Sequence, residues 1–139
     1  MSPSAIVFPG IAMFFLTFSV IVMLAYRRIT AVRRGEVDIR YFRLYNEGEQ
    51  PASLQQIGRH VQNHFEMPPL FYVVLLFLYV TGNVTPFNVA LAWLYVALRC
   101  LHSFIHLGSN DVRRRLQAWA ASGLVLAGLW LSLLVSLIA

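Results

Sequence analysis

The chain has no lysine, a single cysteine and only six acidic residues in 139. Charged residues make up 12% of it, about half of what a soluble domain carries. That shortage excludes an ordinary soluble globular domain. The lone Cys100 excludes an internal disulfide and is expected to be a helix-packing residue. There is no internal repeat and no low-complexity segment. No phosphate-binding glycine loop, Ser-His-Asp arrangement or HExxH motif is present. The amino terminus lacks the basic region of a signal peptide, so the first hydrophobic run is expected to be a retained helix.

What is present is apolar. Hydrophobic residues make up 58% of the chain, and the mean hydropathy is +0.64. The length suits one domain, residues 1–139. Four segments are expected to span a bilayer as helices, at about 5–26, 54–81, 87–107 and 117–139. The fold class is therefore an all-α integral membrane bundle of four helices. Gly82-Asn83-Val84-Thr85-Pro86 breaks the second span from the third, and Gly108-Ser109-Asn110-Asp111 opens the last connection.

The net charge of +5 comes from arginine. Nine of the eleven arginines lie in the first and third connections, and none in the second. Basic connections on one face set topology, so that face is expected to be cytoplasmic. This accounts for the basic character better than nucleic-acid binding does.

Arg59 and Arg99 fall outside that account. A charge at the centre of a membrane helix costs roughly 2.5–3.5 kcal/mol. At about 100° per residue, Arg59, Asn63 and Glu66 fall within about 60° of one another, and so do Arg99, His102 and His106. Each set makes a polar stripe expected to face the bundle interior or a subunit interface. Glu66 and Arg99 lie at similar depths on antiparallel neighbours, which predicts an ion pair. Arg59, His60, Asn63, His64, His102, His106 and the arginines of the third connection converge on one half of the bundle. A cationic pocket with one carboxylate suits an anionic ligand that carries an amino group, such as a small acidic peptide. The neighbouring arginines disfavour a metal ion, although both histidine pairs have i, i+4 spacing. Polar groups occupy one half of the membrane thickness, which disfavours a conduction path.

The stretch Arg59-x-x-x-Asn63-x-x-Glu66-x-x-Pro69 resembles the second-helix signature of the membrane-associated proteins in eicosanoid and glutathione metabolism, the MAPEG superfamily. Arg99-x-x-His102-x-x-x-His106, followed by Arg113 to Arg115, resembles its second signature. The resemblance covers most of the chain; its specific part is the 11 residues 59–69 and the 17 residues 99–115. It implies a homotrimer of four-helix bundles with glutathione bound as co-substrate between subunits near the cytoplasmic side. Arg59, Asn63 and Glu66 would contact the peptide, Arg99 would pair with Glu66, and His102 and His106 would line the site. Arg27 or Arg28 would reach a glutathione carboxylate. Arg113 or Arg115 would stabilise the thiolate. The implied activity is a glutathione-dependent transferase or peroxidase acting on lipophilic electrophiles or hydroperoxides. The alternative is a non-catalytic member that binds a lipid or small anion. His106 stands where the eicosanoid enzymes have tyrosine, Trp119 where a later aromatic is often tyrosine, and His102-Ser103-x-x-His106 resembles a bacterial branch, implying a bacterial inner membrane.

Overall fold

The computed structural model describes residues 2–45 and 49–138. A 3-10 turn, Pro3–Ile6, leads into α1 (Val7–Arg33). A short α2 (Tyr41–Leu44) follows, then α3 (Ala52–Glu66), α4 (Pro68–Val80), α5 (Pro86–Leu107) and α6 (Val112–Ile138). Among the described residues, four helical stretches are long and apolar enough to cross a membrane: Pro3–Arg33, Ala52–Val80, Pro86–Leu107 and Val112–Ile138. The protein is a multi-pass all-α membrane bundle.

Where the helices differ from expectation, local chemistry accounts for it. The first helix runs past Tyr26 to Arg33, because no residue there breaks a helix before Gly35, whose φ of 72° ends it. The second span is two helices, since Pro68 and Pro69 lack backbone N–H donors and interrupt the ladder at Met67. The fourth helix starts at Val112, five residues before the expected Gln117. Asp111 starts it by accepting the Arg114 N–H on Oδ1 at 2.9 Å. Ala139, its expected last residue, lies outside the described residues. The α5 helix starts at Pro86, one residue before the expected Phe87, with the Thr85 hydroxyl accepting the Asn88 N–H at 3.2 Å.

The bundle is apolar at one end and polar at the other. Ile6, Met13, Phe71, Val74, Leu78, Tyr95, Leu129 and Leu133 fill the end away from the arginines. Phe71 stacks on Tyr95 with centroids 4.3 Å apart. Lipid tails are as apolar as these side chains, so close packing, rather than escape from water, holds this half together. Asn88 ties its far edge, accepting from Ser132 Oγ at 2.7 Å and donating to the Asn83 carbonyl at 3.0 Å. At the other end, Val37 and Tyr41 pack on Ala31 and Leu54, which fixes α2 against α1 and α3. The four histidines lie between these two cores.

Candidate functional site

A cleft of about 280 Å³ opens between α3, α5 and α6 at the arginine-rich end, lined by Asn63, Glu66, His102, Val112, Arg115, Leu116 and Trp119. Its wall is set by the short α5–α6 turn. Gly108 ends α5 where any Cβ would come within 2.9 Å of the Phe104 carbonyl. Asn110 follows with a left-handed φ of 51°, a conformation asparagine tolerates better than most residues. Its Oδ1 accepts from Arg115 Nη1 at 2.7 Å. The same Nη1 donates to His106 Nε2 at 3.1 Å. A guanidinium carries no acceptor, so His106 presents a lone pair there and bears its proton on Nδ1. His102 Nδ1–H donates to the Arg115 carbonyl at 3.1 Å, and Gln56 Nε2 donates to the His106 carbonyl. Arg115 is thus held by its backbone and its side chain, with Nη2 and Nε free of protein partners among the described residues.

Behind the cleft the four histidines meet, all buried. The His60 centroid lies 4.8 Å from His64, 4.7 Å from His106 and 5.7 Å from His102. His64 is satisfied, with Nδ1 2.9 Å from Thr17 Oγ1 and Nε2 3.3 Å from Ser103 Oγ. Among the described residues, His60 has no hydrogen-bond partner on either nitrogen, and His102 Nε2 and His106 Nδ1 also lack one. Among the described residues, no three His, Cys, Asp or Glu side chains are arranged to hold a metal ion.

The expected residues divide into groups. Asn63, Glu66, His102 and Arg115 share the cleft. His106 sits behind it and holds Arg115. Arg59 is exposed, and Arg113 is exposed and outside the cleft lining, whereas Arg115 is half-buried. The stripe Arg59, Asn63, Glu66 lies at the bundle surface, with Arg59 and Glu66 exposed and Asn63 half-buried at the cleft. The inward face of α3 carries His60 and His64 instead. Arg27 lies elsewhere, in a groove between α1 and α5 beside Cys100, Ser103 and Phe104. Cys100 is exposed there rather than packed.

The expected Glu66–Arg99 ion pair does not form within the chain. Glu66 ends α3 at the proline break and is exposed. Arg99 is 1% exposed. Helical side chains lean toward the helix N-terminus. Arg99 follows that direction, and its Nε donates to Tyr95 Oη one turn earlier at 3.1 Å. Its Nη2 has no partner among the described residues. Among the described residues the one ion pair is the exposed Arg34–Glu36 contact at 3.9 Å.

Three contributors were not singled out from sequence: Asn110, Gln56 and Tyr95. A non-glycine residue in a tight turn is a weak signal for Asn110. Tyr95, four residues before a membrane arginine, was the available signal for the Arg99 contact.

Neither the curated proteins nor the solved structures contain a match to this chain. The model of the MAPEG family matches residues 6–135. That range contains every residue of the cleft and both sequence signatures, and it shows that the chain belongs to the MAPEG family.

Proposed function

We propose that the protein is a glutathione-dependent transferase or peroxidase for lipophilic electrophiles or hydroperoxides. The observation that carries this reading is the Arg115 guanidinium, fixed on Asn110 and His106 at the wall of a cleft that also holds Asn63, Glu66 and His102. A free thiol has a pKa near 8.5, and an adjacent cation lowers it. Arg115 lines the cleft and Arg113 does not, which supports Arg115 in this role. The glutathione S–H gives its proton to solvent, and the thiolate rests against the guanidinium. It then attacks an electrophilic carbon to form a C–S bond, either displacing a leaving group that departs with its electron pair or adding to an activated alkene, whose π electrons take a proton from solvent. With a hydroperoxide, the thiolate cleaves the O–O bond, giving an alcohol and a sulfenic acid. A second glutathione reduces the sulfenic acid, with disulfide and water as products. Glu66 would receive the ligand's ammonium and Asn63 would hydrogen-bond its backbone. Trp119, Val112 and Leu116 give the cleft an apolar side for the partner substrate.

Arg27 does not line this cleft. If it contacts the same glutathione, it must come from another copy. That favours a homotrimer with intersubunit sites, to which the exposed Arg59 would also contribute. The arginine-rich connections would face the cytoplasm, in keeping with a bacterial inner membrane.

The second reading is a non-catalytic member that binds a lipid or small anion. It is favoured by His106 and Trp119, neither of which supplies a hydroxyl near the thiol. An ultraviolet difference spectrum near 240 nm with saturating glutathione separates the two readings. A thiolate band at neutral pH is expected. Calorimetric binding without that band would leave the second reading, and no binding at all would remove glutathione from both.

A further inference from the structure

At the arginine-rich end of α1, a groove of about 320 Å³ is lined by Arg28, Ile29, Val32, Arg33, Ile39 and Phe42. It lies between α1 and the segment carrying α2, and the proposed reaction does not use it. Arg28 is not an ordinary surface arginine. Its Cζ lies 5.1 Å from the Phe42 ring centroid and 5.7 Å from that of Tyr45. Its Nε is buried with no hydrogen-bond partner among the described residues. Two aromatic rings therefore hold the guanidinium in place, while no carboxylate pairs with Arg28 or Arg33 among the described residues. A guanidinium stacked on a ring face keeps its edge N–H groups free, and that fork matches phosphate oxygens.

The rest of the groove is apolar and open. Ile39 is 70% exposed and Ile29 is 53% exposed. The exposed apolar surface continues along the same helix through Val22, Phe18 and Phe15, at steps of three to seven residues. A ligand that fills this groove has an anionic head at Arg28 and Arg33 and a hydrocarbon tail along α1. A free phosphate would use only the first part. The groove also lies where the apolar run of α1 gives way to arginine, the level at which lipid headgroups sit. We propose that it is a binding site for an anionic phospholipid, with the phosphate on Arg28 and Arg33 and one acyl chain against Ile29, Val22 and Phe18. α2, held on α1 and α3 by Tyr41, forms the opposite wall.

The test is native mass spectrometry of the detergent-purified full-length protein, titrated with phosphatidylglycerol, phosphatidylcholine or glycerol 1-phosphate. Phosphatidylglycerol is expected to be retained at about tenfold lower concentration than phosphatidylcholine. Glycerol 1-phosphate in large excess is expected not to displace it. The double variant Arg28→Gln/Arg33→Gln should lose most of this preference. Arg34→Gln/Arg114→Gln, which removes the same charge elsewhere, should keep it. Arg33→Gln alone, at an exposed position, gives a smaller loss and keeps the test open if the double variant does not fold. Equal retention of both lipids, or equal loss in both double variants, would overturn the proposal. Full displacement by glycerol 1-phosphate would make this a phosphate site and overturn it as well.

Discussion

Arg115 Nη1 donates to Asn110 Oδ1 at 2.7 Å across a turn of four residues between α5 and α6. Asn110 holds a left-handed backbone, and its own N–H bonds the Ile105 carbonyl at 2.8 Å. One residue therefore closes the helix end and fixes the cation of the cleft.

Asn110→Gly separates those two roles. Glycine accepts the positive φ, so the turn persists while the side-chain acceptor is lost. Hydrogen bonds to charged groups contribute about 1.5–3 kcal/mol. Part of that loss should appear as poorer thiolate stabilisation, raising the midpoint of the 240 nm thiolate titration by about one pH unit. Glutathione affinity should change only a few-fold. In an Arg115→Leu background the same substitution should add nothing. An additive effect there would show that Asn110 acts through the fold rather than through Arg115.

Arg113→Leu and Arg115→Leu are expected to diverge. Arg113 is exposed and outside the cleft lining, whereas Arg115 is in it. The Arg115 variant should lose the thiolate band while keeping glutathione affinity within a few-fold, because the guanidinium favours thiolate over thiol. The Arg113 variant should keep both. Difference spectra of the two variants decide the matter, and a band lost only in Arg113→Leu would reverse the assignment.

Glu66→Ala should leave the bundle intact. The carboxylate is exposed and makes no ion pair with Arg99 within the chain. Exposed substitutions of this kind change stability by about 0.5 kcal/mol or less. Thermal unfolding in detergent should match the wild type, while calorimetry with glutathione should show weaker binding. A large drop in melting temperature would mean that Glu66 has a structural partner in the assembled protein.

Tyr95→Phe should be the destabilising change instead. It removes the acceptor of the buried Arg99 Nε and leaves a charged donor unsatisfied, at about 1–3 kcal/mol. Arg99→Met in the same chain should recover much of that loss, since an apolar side chain often replaces a buried ion at little cost. Melting temperatures of the two single variants and the double variant form the cycle, and strict additivity would refute the coupling.

The sequence by itself determined the number and approximate places of the spans, the polar end of the bundle and the family. Span length, breakers and arginine distribution are one-dimensional signals, and the bilayer makes them decisive, because the hydrocarbon core offers no water to the backbone and each spanning segment must satisfy its own polar groups as a helix. The signatures around Asn63, Glu66 and His102 likewise marked residues that do meet at one cleft.

Only the tertiary structure decided which way each stripe faces. Helical periodicity groups Arg59, Asn63 and Glu66, but it does not say that the opposite face, with His60 and His64, is the buried one. It puts Glu66 and Arg99 at similar depth, but not that Arg99 turns back along its own helix to Tyr95. It also leaves Arg113 and Arg115 equivalent. The phase of α6, set by the Asp111 cap and the Asn110 turn, puts Arg115 in the cleft and Arg113 in the open. A side chain's partner depends on the rotation of one helix against another, and that rotation is fixed by packing across the bundle rather than by spacing along the chain.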